Sequence, residues 1–572
     1  MRGTICRLIG LVALGSVLAT ACQGANNSGT TSQAVQAPTA PQHILRIVAN
    51  VLPNDLSAKP LANASASGVA APDSTSLFNA TLSYIDERGH ASGYLAESLP
   101  QLDTASWRLL PDGTMETTYR LKPNLTWHDG SPLTSDDFVF AYQIYTTPDY
   151  GVNRSIPIRY MAGVEAPDSR SLFIRWGQSY VNAGRLDNDF PPLPAHLLQS
   201  EQSGEKYLPN SSFWTTNYVG AGPYKLASFE AGVAIEGNAF DAYALGRAKI
   251  DRVSLRAISD TNSAVAAVLA GEMDYGMNLF RAEEGLVLEQ DWVPTGAGIV
   301  LWEPLGSRTL NFQFRPEFAQ PPEVGRDVRV RQAIAYAIDK QESFDVVTGG
   351  HGLQSNTRSH PGEEYQPLVD REVTKYSYDP RKAVQLLQDA GFSQTANGQW
   401  LRPAGGGGGP VQLPISYTGG SKLFEHENFI IVDQLRRFGI DASSKLFPSS
   451  GTPQDRAQLP GMDSVGSADP TQYRTVNTPT ADNRWSGANR GGYANPELDR
   501  LADALDKAIV PSEIVQATIQ LEKLTSSDLP GIFLYYHSRA WNHVANLTGP
   551  TVRQSLSAGH PLRRIYQWEW TA

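Results

Sequence analysis

Apolar residues recur along this chain at two spacings, every second position over short runs and every third or fourth over longer ones. The two spacings alternate from one end to the other. Ile44 to Val48 reads as a strand, and Ser76 to Tyr84 carries apolar residues at helical spacing. Tyr119, Leu121, Leu125 and Trp127 are strand-type residues, and His128-Asp129-Gly130 ends them in a turn. A helix follows from Thr134, with Asp136 and Asp137 in its first turn and Phe138, Ala141, Tyr142 and Tyr145 as its apolar stripe. Val164 to Trp176 suggests a hairpin across Pro167-Asp168, and Leu310 to Phe314 a strand. Helices are predicted from Thr261 to Ala270, from Asp327 to Lys340, from Asp379 to Gly391 and from Glu427 to Phe438. Leu529 to Tyr536 returns to strand. Helices alternating with short strands argue for α/β lobes with partly parallel sheets.

Length and composition narrow this picture. With 572 residues, 41% hydrophobic and 18% charged, the chain suits two or three folded domains rather than a disordered or fibrous protein. Its formal charge is −11 with no basic block, which argues against nucleic acid as a partner. Arg2 and Arg7 precede an apolar run, Leu8 to Ala19, too short to span a bilayer comfortably, so residues 1–21 read as an export signal. The only cysteines are Cys6 and Cys22, and removal of the signal leaves no pair to form a disulfide. Residues 22–42 are small and polar and cannot repay the entropy of folding, so they read as a flexible tether. The folded part is expected as 43–310, 311–534 and 535–572.

Several long motifs resemble one family. The run L-K-x-x-L-x-W-H-D-G-x-P-L-T-x-x-D-F-V-F from Leu121 to Phe140 is similar to the motif of extracytoplasmic solute-binding proteins of the peptide/nickel class, family 5, which feed ABC importers. Gly93 to Asp103, the V-G-A-G-P-Y turn at Val219 to Tyr224, D-V-R-V-R-Q-A-I-A-Y-A-I-D-K at Asp327 to Lys340, and Asn495 to Asp499 resemble further passages of that family in the same order. Leu18-Ala19-Thr20-Ala21-Cys22 looks like a lipobox, with Ala19 where that box has leucine. The resemblance implies a periplasmic-binding-protein-like α/β fold, two lobes with mixed sheets joined by a hinge, the first enlarged by an extra subdomain. It also implies a monomeric lipoprotein, anchored through Cys22 on the outer face of the cell membrane, that captures a peptide or peptide-like solute and delivers it to ABC permease subunits without a cofactor. The alternative is a member that has lost transport and acts as an envelope regulator.

Signatures of catalysis are incomplete. His426-Glu427 begins H-E-x-x-H, but Ile430 takes the second histidine's place, and Ser203-Gly204-Glu205-Lys206 fits S-x-x-K without its companion motifs. The resemblance places an amine-pairing aspartate of peptide-binding relatives three residues before an acidic-Pro pair. Here the pair is Asp469-Pro470, which puts Gly466 at that position and leaves Asp463 nearby but out of register. Aromatics and amides in the polar, Gly-rich passage that follows suit a cleft that is wet when open and dry when closed. The candidate ligand-binding residues are therefore Asp463, Asp469, Tyr473, Trp485 and Asn489.

Overall fold

Alternating strands and helices assemble, in the computed structural model, around one eleven-stranded sheet. The residues described are 44–571 apart from 60, 62–70, 151–155, 188, 203–207, 420, 449 and 467–468. The expected signal, the tether with Cys22 and the Ser203–Lys206 pattern all fall outside them. Across the sheet the strands run Asp441–Phe447, Gln412–Thr418, Met462–Val465, Gly298–Phe312, Gly531–Val544, Tyr275–Phe280, Ile44–Ala49, Arg252–Ala257, Ala234–Ala239 and Tyr224–Glu230, with Gly352–Gln354 paired to Gly531–Val544. The two long central strands, Gly298–Phe312 and Gly531–Val544, run antiparallel through both halves of the sheet.

Each half has its own core. Leu45, Phe78, Tyr119, Trp176, Leu255 and Trp541 belong to one buried cluster, and Leu310, Ile334, Leu413, Ile431, Met462 and Tyr535 to another. These are the two lobes. The first lobe also carries a four-stranded antiparallel sheet, Trp107–Leu109, Met115–Arg120, Ser171–Trp176 and Met161–Asp168, with the helix Ser135–Thr146 against it.

The Trp-His-Asp-Gly run holds this lobe together. Trp127 Nε1 donates to Asp137 Oδ2 (3.2 Å), whose carboxylate also accepts from the Thr134 and Ala195 N–H groups. His128 accepts at Nδ1 from the Gly220 N–H (3.2 Å), while its Nε2 lies 3.0 Å from the Gly222 carbonyl. Two motifs separated by ninety-odd residues in sequence thus form one knot.

Two expectations are corrected. Ser76 to Tyr84 is not a helix: the helix is Ala71–Thr75, and Ser83–Ile85 is a strand. Leu77, Phe78 and Leu82 are wholly buried because the segment threads the core, with the Phe78 and Leu77 carbonyls accepting from the Gly222 and Tyr224 N–H groups. Helical spacing here is a by-product of burial on all sides. The helix expected over Asp327 to Lys340 stops at Ala337, Ile338 is extended, and Asp339 caps a second helix, Lys340–Thr348, by accepting from the Gln341 and Glu342 N–H groups. Among the described residues no helix is long and apolar enough to cross a membrane.

Candidate functional site

Strand direction locates the site. Gln412–Thr418, Asp441–Phe447 and Met462–Val465 are mutually parallel, as are Ile44–Ala49, Arg252–Ala257 and Tyr275–Phe280. Val465 lies opposite Thr309 and Met462 opposite Phe312, so the carboxyl ends of the second lobe's strands point toward the middle of Gly298–Phe312. Phe280 lies opposite Ala540, which is itself paired with Trp302, so the first lobe's carboxyl ends point toward the same middle from the other side. Ligands of open α/β sheets sit outside such carboxyl ends. The pairing register of the long strands shifts between Glu303 and Gly306 and again between Arg308 and Thr309, within this gap.

A buried charge network floors the gap. Arg308 makes a bidentate contact with Glu427 (Nε to Oε2 3.0 Å, Nη2 to Oε1 2.6 Å), Ser464 and Tyr535 donate to the same carboxylate, and the Phe424 ring lies 3.8 Å from the guanidinium carbon. Burial pushes the Glu427 carboxyl up, but the Arg308 charge and these hydrogen bonds outweigh it and hold the group below its usual range. At the rim, Glu283 of the first lobe accepts from the Leu423 N–H (3.1 Å) at the start of the second lobe's helix Lys422–Arg437. Two helix N-termini meet there, since Glu283 lies in the first turn of Ala282–Asp291.

The segment from Asp463 to Tyr493 supplies one wall. Asp463, on the strand Met462–Val465, is buried and faces Arg456 (3.1 and 3.3 Å) and Arg490 (3.8 Å). Burial raises its pKa even against both guanidinium groups. Asp469 caps the short turn Pro470–Tyr473 through the Thr471 N–H and hydroxyl, both at 2.7 Å. Tyr473 is buried, donates to Asn311 Oδ1 (2.6 Å) and accepts from Arg358. Asn489 is buried and fully engaged: its amide nitrogen donates to the carbonyls of Tyr473, Arg474 and Tyr493 and to Thr478 Oγ1, and its oxygen accepts from the Tyr493 N–H. Expected as an amide facing an open cleft, it braces the loop instead.

Trp485 is the predicted residue that lines the larger cavity of this wall. It is half-buried and lines a cavity of about 410 Å³ with Phe447, Pro448 and three arginines, Arg456, Arg484 and Arg490. Thr418 and Phe447, the last residues of two parallel strands, lie at its edge. Asp463 sits beside it, in a smaller cavity shared with Arg456 and Arg490. Of the five candidates, Asp463 and Trp485 are brought to this wall, Tyr473 and Asn489 lie behind it, and Asp469 shapes the turn leading into it. The arginines were not foreseen, although Arg484 and Arg490 stand in the same Gly-rich passage as Trp485. Gly466 is exposed, and a Cβ there would lie 3.1 Å from the Ser307 carbonyl oxygen. Among the described residues no group of three or more His, Cys, Asp or Glu is placed to hold a metal ion.

Comparison with known proteins agrees with this fold. The family described as bacterial extracellular solute-binding proteins, family 5 Middle, matches residues 97–480, more than half of the chain. The oligopeptide-binding protein AppA of Bacillus subtilis is 26% identical over 520 residues, which cover 88% of each chain. In fold, the chain resembles NikZ of Campylobacter jejuni, solved with Ni(L-His), at a TM-score of 0.67 and 21% identity, covering 93% of this chain and all of that one. It also resembles AppA of Bacillus subtilis, solved with a nonapeptide, at 0.63 and 22% with the same coverage.

Proposed function

The chain belongs to the bacterial extracellular solute-binding proteins of family 5, a family of binding proteins rather than enzymes, and on that premise we propose that it is the substrate-binding lipoprotein of an ABC importer. It captures a peptide or peptide-like solute between its lobes and delivers it to the membrane permease. The observation that carries this is the arrangement of the sheet: two sets of parallel strands direct their carboxyl ends at one gap, spanned by two long strands whose register shifts inside it. Such irregular pairs bend more readily than straight ones. They support lobe closure about Glu303–Gly306 and the facing His537–Arg539, on the first-lobe side of the boundaries expected at Asn311 and Leu534. AppA, named as an oligopeptide binder, supports a peptide as cargo. The open cavity beneath Trp485 supports a transport receptor over a regulator whose cleft is plugged by its own side chains.

Native mass spectrometry of protein purified from its own host tests the reading. A small peptide-like molecule should leave with the protein and should be lost on partial unfolding. A host preparation with no bound solute, whose scattering profile responds to no peptide offered, would sink it.

A further inference from the structure

We propose that the cavity beneath Trp485 takes an anionic group of the solute, a carboxylate or a phosphate, held by Arg456, Arg484 and Arg490. The inference rests on the solute-binding reading and narrows it. Three arginines line the cavity, and none of its lining residues is acidic. The nearest partner carboxylate, Asp463, lies beside the cavity and is shared by Arg456 and Arg490, so one negative charge faces two positive ones before Arg484 is counted. A fourth guanidinium, Arg315, braces the rear by donating to the carbonyls of Ala457, Pro479 and Arg490. Asp455, on the same short helix as Arg456, is turned to the Thr452 N–H and hydroxyl in a capping box. Burial, and then the like charge of Arg456, draw the Arg490 pKa down, as befits a cation whose compensation is incomplete. A second anion would complete it, and guanidinium groups present paired donors that match carboxylate and phosphate oxygens.

The loop is shaped for this task. Arg484 and Trp485 are consecutive non-glycine residues in the left-handed region, with φ of 55° and 60°, a strained conformation of the kind that clusters at ligand clamps. It is held by the Trp485 N–H to Thr480 carbonyl bond (2.7 Å), and by Gly487, where a Cβ would fall 2.1 Å from the Asn477 carbonyl oxygen. Trp485, Phe447, Pro448, Pro453 and Pro479 give the rest of the wall an apolar character, suited to the body that carries the charge.

Calorimetry on the purified protein, with N-terminally acetylated probes so that no amine takes part, decides the matter. The probes are acetyl-Phe-Ala-Glu with a free carboxyl terminus, acetyl-Phe-Ala-Gln-amide, acetyl-Phe-Ala-Lys-amide and inorganic phosphate. The acidic probe should bind more tightly than the neutral one by about tenfold or more, and the basic probe least. In Arg484→Gln and in Arg490→Gln the acidic-to-neutral ratio should collapse toward one, with melting curves confirming that both variants fold. Competition by phosphate would show that the bare anion suffices. Failure of phosphate to compete while the acidic probe binds would assign the site to carboxylate. Equal binding of acidic and neutral probes, an acidic preference that survives both substitutions, or no binding of any probe would overturn the inference. Equal binding with closure intact would leave the solute-binding reading standing, since that falls only on the host-purification and scattering results.

Discussion

His128 shows how a single side chain can set the acid limit of the fold. Burial, which disfavours the charged imidazolium, lowers its pKa to about 4, and protonation would also turn Nδ1, which accepts from the Gly220 N–H, into a donor with no acceptor. The folded pKa lies below the unfolded value, so this contribution is complete above about pH 6.5 and is lost as pH falls toward 4. The loss should approach about 3 kcal/mol. His537, also lowered to about 4 by burial, adds to it in the same window. Thermal melts from pH 7 to pH 4 should show the decline. His128→Gln should be less stable at pH 7 but lose less on acidification; an unchanged slope would remove His128 from the account. Glu427 acts lower on the scale, since the stability that its depressed pKa confers is lost only as pH falls below about 4.5. Glu427→Gln leaves Arg308 buried without a carboxylate and should cost about 3–5 kcal/mol by denaturant titration. The double variant Glu427→Leu with Arg308→Met should recover much of that, because an apolar pair incurs no desolvation cost.

Elements meet closely at the V-G-A-G-P-Y turn. A Cβ on Gly220 would lie 1.9 Å from the Phe78 carbonyl oxygen and one on Gly222 2.5 Å from the Asn79 backbone nitrogen, so glycine is required by approach, at both positions, to a segment far away in sequence. Gly220→Ala should therefore destabilise the first lobe by about 1–3 kcal/mol through overpacking. Limited proteolysis should find its new cuts there while the second lobe stays protected. If Gly220→Ala melts like the parent, the segments are less tightly apposed than described.

At the scale of the whole molecule, the proposed closure sets the rim contact against the irregular strand pair. On the proposed closure, opening the gap would break the Glu283 to Leu423 bond and flex the strand pair near Gly306. A tight solute should compact the protein in scattering experiments and stabilise it by about 2.7 kcal/mol at a hundredfold excess over Kd. Glu283→Ala should shift the unliganded ensemble toward larger radii. Profiles that are the same with and without a verified ligand would count against closure. The lipobox-like sequence makes a separate claim: if Cys22 carries a diacyl lipid that holds the protein at the membrane, Cys22→Ala should release it or stall its processing. A mutant that still sediments with membranes at unchanged size would refute the anchor.

Local chemistry carried much of this protein in its sequence. Periodicity and caps marked several helices, as at Asp379, which caps Pro380–Asp389, because those signals are satisfied by neighbours along the chain; the helix expected from Glu427 begins more than a turn earlier, at Lys422, capped by Ser421. The family was legible from ungapped motifs. Other features depended on contacts between distant residues. Ser76 to Tyr84 looked helical but was decided by the core it threads, and Asn489 looked like a cleft amide until its five hydrogen bonds around the loop were placed. The arginine-lined cavity unites Arg456 with Arg484 and Arg490 across a strand and a turn. Spacing along the chain encodes which residues can share a helix or strand face, whereas which faces meet, and what charge balance results, is set only when the sheet brings distant segments together.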